Sequence, residues 1–281
     1  MQQEERKYKD LKPSRIRVKL AASMLYLRKK YIVNHFKISA LALLLPICGF
    51  AYADEARPLT LGASVIYAQS PYKGGQDRYL PLPVINYEGD RFWLRTLQGG
   101  YYLWKDQQDQ LSFTLAGSAQ RYDPSDNDLG AMKGLDKRRM TLMGGVEYRH
   151  IADWGIVRTN LLGDVLDKSD GIVWDLTYLY RFDFGDFSVT PGIGATWSSA
   201  NQNRYYYGVA SHESARTGIA RYRPDDSWSP YVELSANYRL DDRWNAGIYA
   251  RYTRLADEIK DSPMVDNNSQ LTAWTGISYS F

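Results

Sequence analysis

From Leu59 to the last residue, apolar and polar side chains trade places at every second position in short bursts. In "LTLGASVIYA" (Leu59–Ala68), Leu59, Leu61, Ala63, Val65 and Tyr67 share one face. In "LSFTLAGSAQ" (Leu111–Gln120), Leu111, Phe113 and Leu115 oppose Ser112, Thr114 and Ser118. The chain closes on "AWTGISYSF", with Ala273, Thr275, Ile277, Tyr279 and Phe281 on one side and Trp274, Gly276, Ser278 and Ser280 on the other. A period of two marks a strand with one apolar and one polar face. The same pattern covers Leu80–Glu88, Arg91–Trp104, Met140–His150, Gly155–Val165, Gly171–Phe182, Phe187–Ser198, Pro230–Leu240 and Arg243–Leu255, which makes eleven segments with the three above.

The connections alternate in length. "DFGD" (Asp183–Asp186) and "DDR" (Asp241–Arg243) suit hairpin turns, whereas Tyr122–Arg139 and Asn201–Ser229 are long and polar. Strands of about ten residues joined by alternating short and long loops predict an all-β fold, an antiparallel transmembrane β-barrel of the bacterial outer membrane. Short turns then face the periplasm, long loops face outward, and the apolar face meets outer-membrane lipid. The last strand must pair with the first, because an open edge in hydrocarbon leaves backbone groups unsatisfied. Such barrels have even strand numbers, so one of the eleven segments is misread, and the expected count is ten or twelve, with twelve favoured. The ambiguity lies before Gln120, where Gly99–Gly100 marks either a bulge or a break. The competing fold is a soluble β-sandwich or lipocalin-like barrel, which turns its apolar face inward. Trp93, Trp104, Trp154, Trp228 and Trp244, all near turns or strand ends, favour the membrane form through an aromatic girdle.

Charge changes the picture only after the chain is divided. The formal net charge is +3, but residues 1–53 hold 11 Lys/Arg and 3 Asp/Glu, leaving 24 basic and 29 acidic residues beyond them. A mildly acidic remainder removes the case for nucleic acid. The first part reads as an N-terminal extension plus signal peptide: basic residues, the apolar run Ile38–Ile47, and an Ala51-Tyr52-Ala53 cleavage site, with the barrel over 54–281. Translation is expected to start at Met24 rather than Met1. The single cysteine, Cys48, falls in the leader, so the exported chain has no disulfide.

On the polar faces stand Glu147, Arg149, Arg158, Asp164, Asp175, Arg181, Glu233, Arg239 and Arg251. With both signs present, the expectation is a lumen closed by internal salt bridges rather than a selective pore. Catalysis finds little support: past the leader only His150 and His212 remain. "ASHESARTG" reads as a short helix with Ser211 as N-cap, Glu213 in the first turn and Gly218 past the end. No metal site or cofactor is indicated. The segment Asn201–Pro230 offers Tyr205, Tyr206, Tyr207, Arg221, Tyr222 and Trp228, residue types common in binding hot spots. Those residues form either an outward contact surface or a lid folded over the barrel mouth.

"PVINYEGDRFWLR", "GGYYLWKD", "DGIVWDL", "VTPGIG", "NQNRYYYGVASHESARTGIARY", "DSWSPYVELSA" and "RYTRLADEIKDSPMVD" resemble the MipA/OmpV family over Leu59 to Phe281. The resemblance implies an outer-membrane β-barrel and a non-catalytic scaffold. Its implied partners are an MltA-type lytic transglycosylase and a bifunctional penicillin-binding protein, so that murein cleavage is linked to synthesis. Other members imply an alternative, an outer-membrane channel or a surface receptor or adhesin involved in small-solute or antibiotic entry. The terminal Phe281 resembles the signal read by the barrel assembly machinery. The family supplies no residue-level motif to carry over.

Overall fold

Residues 58–281 are described in a computed structural model, and the expected cleavage site at Ala51 and Ala53, the leader and both candidate start codons lie outside them. Thirteen strand segments follow one another: β1 (Leu59–Ala68), β2 (Arg78–Glu88), β3 (Phe92–Arg95), β4 (Gln98–Lys105), β5 (Asp109–Ser118), β6 (Thr141–Ala152), β7 (Gly155–Asp164), β8 (Ile172–Leu179), β9 (Phe182–Phe184), β10 (Phe187–Ser198), β11 (Ser227–Arg239), β12 (Trp244–Arg254) and β13 (Ser269–Ser280). Neighbours pair antiparallel, and β13 pairs with β1 from Thr60↔Ser280 to Ala68↔Thr272, closing the cylinder. The seam ends with the Phe281 N–H donating to the Leu59 carbonyl at 3.0 Å.

The segments β8 and β9 are one stave, since both pair with β10. Pro191 of β10 stands at the interruption: its carbonyl accepts from the Tyr180 N–H at 3.1 Å, but it has no N–H to return, and the ladder lapses. Twelve staves result. The misread segment is Arg91–Trp104, which the structure divides into β3 and β4. The break falls at Thr96–Leu97, with Thr96 at φ 51°, and not at Gly99–Gly100. Gly100 lies inside β4 opposite Trp93, and a Cβ there would sit 2.4 Å from the indole, so this glycine makes room for a ring.

The alternation faces outward as expected of a membrane barrel. On β8 and β11 exposed and buried positions alternate almost without interruption. Leu176, Ile193, Val232, Leu234, Ile248 and Ile277 are exposed, while Thr177, Ser188, Glu233, Thr272 and Ser278 are buried. A soluble barrel has the opposite polarity. Trp104, Trp154, Trp228 and Trp244 are exposed near strand ends, but Trp93 is 2% exposed and points into the barrel, so it does not belong to the girdle. Among the described residues no helix is long and apolar enough to cross a membrane.

At one end the turns are short: 89–91, 106–108, 153–154, 185–186 and 240–243. At the other, the segments 69–77, 119–140, 199–226 and 255–268 gather into a second apolar core. It contains Tyr72, Tyr122, Met132, Leu135, Tyr206, Tyr207, Val209, Leu255, Ile259, Met264 and Val265. Two-residue bridges tie it together, among them Tyr72↔Val265, Tyr122↔Arg138 and Val209↔Tyr222. Four short helices contribute: α1 (Gly130–Lys133), α2 (Ala200–Tyr207), α3 (Ser211–Thr217) and α4 (Asp257–Lys260). Helix α3 starts one residue earlier than expected, because Ala210, not Ser211, is its N-cap. The Glu213 carboxylate accepts from the Ala210 N–H at 2.8 Å, and Gly218 ends the helix at φ 75°.

Candidate functional site

The barrel interior is built from inward positions spaced two apart on neighbouring staves. Tyr231 and Glu233 share one face of β11, as Tyr249 and Arg251 do on β12. Glu233 accepts from Arg158 Nη2 at 3.0 Å, Arg251 Nη2 at 2.7 Å and the Tyr249 hydroxyl at 2.9 Å. Asp175 on β8 accepts from the hydroxyls of Tyr231 at 2.8 Å, Thr196 at 2.7 Å and Thr177 at 3.1 Å. Arg251 Nη1 lies 3.5 Å from Asp175, and its guanidinium stacks 3.8 Å from the centre of the Tyr231 ring. Arg158, Glu233, Asp175 and Arg251 are 3%, 4%, 5% and 9% exposed. Two cations and two carboxylates thus neutralise each other out of water, an arrangement favourable only when the remaining lone pairs and protons are also satisfied. The tyrosines and threonines do that.

The nine expected lumen charges therefore part company. Arg158, Asp175, Glu233 and Arg251 meet. Glu147 is buried with Arg95 Nη1 3.9 Å away, elsewhere on the wall. Arg149 is half-buried on β6. Asp164 lies at the long-loop end of β7, where it accepts from Thr141 and from the backbone N–H groups of Leu166 and Lys168 at 3.0 and 2.8 Å, holding the loop. Arg181 and Arg239 sit at the short-turn rim, bonded to Asp183 at 2.8 Å and Asp186 at 2.7 Å. Parity selects the face but not the depth, which is why the sequence grouped them.

The inner face also carries apolar residues that the alternation did not single out. Ile66, Leu80, Val84, Tyr249 and Trp274 cluster on one side, and Ala116, Met143, Leu162 and Val173 on another. The signal was present in "VIYA" and "AWTG", where both parities are apolar, but either face could have been the inner one.

Between the ionic cluster and the outer core lies a cavity of about 170 Å³, lined by Asp175, Arg251, Arg78, Arg121, Gln120 and Tyr207 among others. Its roof answers the question about the tyrosines. Tyr206 is wholly buried and donates to the Arg139 carbonyl at 3.0 Å, while Tyr207 accepts from Gln120 at 2.8 Å. Tyr205 accepts from the Arg139 N–H at 2.8 Å, and Tyr222 donates to the Glu258 carbonyl at 3.0 Å. All four are turned into the lid, Tyr206 and Tyr207 buried and Tyr205 and Tyr222 half-buried. Arg221 is exposed on that lid, and Trp228 faces outward from β11 with its ring 5.3 Å from that of Trp174. Burial raises Tyr72 well above the usual phenol range and Tyr207 to about 12, so both stay protonated as lid donors and acceptors.

Asp136, His212 and Glu213 approach one another within the lid. Their charges are already engaged: Arg138 holds Glu213 at 2.7 and 2.9 Å, and Arg216 holds Asp136 at 2.8 Å. Hydrogen bonds from His212 and Arg216 keep the Asp136 carboxyl below its ordinary range. His150 pairs with Asp109 at 2.7 Å near the opposite rim.

A closed antiparallel cylinder with an apolar exterior, a charge-locked interior, short turns at one end and folded loops at the other defines an outer-membrane β-barrel. The chain belongs to the family described as MltA-interacting protein MipA, whose profile matches residues 61–281. It is 49% identical over 250 residues to the MltA-interacting protein of Escherichia coli K12, covering 89% of this chain and all of that one. It is 39% identical over 237 residues to the putative outer membrane protein YiaT of the same organism, covering 84% of this chain and 95% of that one. Among solved structures the NanC porin superposes with a TM-score of 0.43 and 12% identity, over 79% of this chain and all of the porin.

Proposed function

We propose that this barrel is a non-catalytic anchor whose periplasmic rim holds an MltA-type lytic transglycosylase, and that a bifunctional penicillin-binding protein joins the same assembly. The Escherichia coli relative that matches over its full length bears the name MltA-interacting protein. The observation that carries the reading is the composition of the short-turn end. Six aspartates, Asp90, Asp106, Asp153, Asp186, Asp241 and Asp242, are exposed on its five turns against two exposed arginines, Arg91 and Arg243, with Asp186 paired to Arg239. An acidic ring at the periplasmic boundary fits a partner with a basic face, and long-range attraction between such faces speeds encounter and weakens with salt. The buried ion pairs inside the barrel support a scaffold rather than a conduit.

The test is capture of purified transglycosylase by the detergent-solubilised barrel. Lys at Asp90, Asp153 and Asp242 should lower capture at least tenfold at low salt, whereas changes to the exposed lid residue Arg221 should leave it unaltered. Loss only with the lid variant would place the partner on the wrong side. Crosslinking in intact envelopes should then recover the penicillin-binding protein with the transglycosylase. The cavity under the lid favours a second reading, a channel or receptor for small solutes or antibiotics. A steady open level in planar bilayers would decide for it.

A further inference from the structure

The hairpin of β3 and β4 stops short in the wall. β3 meets β2 only over Asn86–Glu88, while β2 continues to Arg78, paired on its other side with β1 throughout. The hairpin turn is pinned by the Thr96 N–H donating to the Ile85 carbonyl at 2.7 Å. Among the described residues no strand pairs with that edge of β2 beyond Ile85. Across the gap, β5 reaches the level of the turn, where the Gly117 N–H donates to the Leu97 carbonyl at 3.0 Å, and then ends at Ser118. The result is a notch that extends about 20 Å along β2, at roughly 3.3 Å per residue from Tyr79 to Ile85. Arg78 and Arg121 form its lintel, both bonded to Asp126, at 2.8 and 2.6 Å.

Parity decides what the bare edge offers. The Glu88 N–H donates to the Pro58 carbonyl at 2.8 Å, so even positions of β2 face β1 and odd positions face the notch. The odd positions there are Tyr79, Pro81 and Pro83. The two prolines have no N–H to leave unpaired, which fits a strand edge without a neighbour. Three carbonyls and one N–H still remain, and in a membrane such groups persist where they line a water-filled cavity. The cavity lies beside the top of that edge, lined there by Arg78, by Ser118 at the end of β5 and by Gln120 and Arg121 just past it. Two guanidinium nitrogens in its wall, Arg78 Nη1 and Arg121 Nε, are buried without an acceptor. Arg78 and Arg121 both pair with Asp126, and Lys137 pairs with Asp123, so two guanidinium groups share one carboxylate at the lintel. Outside the notch the surface is apolar, with Tyr79 71% exposed and Leu115 also exposed.

We propose that the notch is a lateral entrance from the outer leaflet, through which an anionic amphiphile seats its head group on Arg78 and Arg121 and leaves its hydrocarbon tail along the proline edge of β2. A charged head must pass an apolar wall, and the wet slot of carbonyls offers a route. The spare guanidinium donors select an anion, and the lipid-facing surroundings select a tail. Nothing in this depends on the periplasmic rim.

Photocrosslinking the full barrel in detergent micelles tests it, with three probes carrying a diazirine on a sixteen-carbon chain: the free carboxylate, the same chain in phosphatidylglycerol, and the neutral alcohol. The expected result is adducts concentrated on Tyr79–Ile85 and Leu97 with one or both anionic probes, at least fivefold above the alcohol. Labelling by the carboxylate alone would identify a free fatty acid as the source, and labelling by phosphatidylglycerol a membrane lipid. The double variant Arg78→Gln, Arg121→Gln, checked for folding by heat-modifiable mobility, should lose that preference. Arg78→Lys with Arg121→Lys should restore most of it, since the charge returns. Adducts spread evenly over the apolar belt, or equal labelling by the alcohol, would overturn the proposal.

Discussion

Glu233→Gln isolates the energetics of the barrel interior. The substitution preserves volume and one acceptor oxygen but removes the charge. Four hydrogen bonds converge on this carboxylate: from Arg158 Nη2, Arg251 Nη2, Arg251 Nε and Tyr249, at 3.0, 2.7, 3.2 and 2.9 Å. An amide in its place turns its own donor toward guanidinium groups. Removing one partner of a buried ion pair costs about 3–5 kcal/mol. Losing two charge-assisted hydrogen bonds at about 1.5–3 kcal/mol each gives the same range. At about 1.4 kcal/mol per factor of ten, the unfolding constant should rise roughly 10²–10⁴-fold. Urea unfolding in lipid vesicles, followed by tryptophan fluorescence, measures it. Adding Arg158→Met removes the excess cation, because Arg251 keeps Asp175 at 3.5 Å. The double variant should therefore be less unstable than the sum of the singles by about 1–3 kcal/mol. A loss below about 1 kcal/mol for Glu233→Gln, or strict additivity, would mean that water reaches the cluster and the interior is not sealed.

Other consequences can be measured separately. A Cβ at Gly194 would lie 2.4 Å from the Tyr231 ring, so Gly194→Val should expel that ring from Asp175 and Arg251 and cost about 1–3 kcal/mol from overpacking alone. An unchanged urea midpoint would contradict the close approach. Met264 is fully buried in the lid, and Met264→Ala should loosen it by about 2–5 kcal/mol. Faster tryptic cleavage at Arg216 and Arg221 should follow, with heat-modifiable mobility of the barrel unchanged. Burial raises the Asp123 carboxyl, but hydrogen bonds from Lys137 and Ser125 outweigh it and hold the group at about 2. A depressed carboxylate contributes stability above its unfolded pKa of about 4 and loses it as pH falls toward the folded value. Hydrogen exchange at the Tyr122 and Arg138 amides, corrected for intrinsic rate, should accelerate between about pH 4 and pH 2. Flat protection across that window would exclude Asp123 as a tie.

Strand identity was legible because lipid imposes a strict rule: on β8 and β11 every second residue had to be apolar, so position in the sequence gave the face directly. The reading failed where a local contact replaced that rule. Arg91–Trp104 looked like one strand because Thr96 is not a turn residue by type, and its φ of 51° is imposed by the hydrogen bonds to Ile85. Trp93 looked interfacial because indole belongs at membrane boundaries, yet Gly100 opens a place for it inside, where Arg95 stacks 4.5 Å from the ring. The ionic cluster was half legible. Its carboxylates and arginines could be named from parity, but their meeting depends on which staves are neighbours and at what height. The lid tyrosines were ambiguous for another reason: a loop carries no period, and its burial comes from segments nearly two hundred residues apart.

That separation has a consequence for biogenesis. The bridge between Tyr72 and Val265 joins the first outer segment to the last. Those two stretches become neighbours only when the two termini of the sheet are zipped together, so the roof cannot set before the ring does. A half-assembled intermediate would leave Tyr72 without Val265, so the shelter of that ring follows the closing of the sheet.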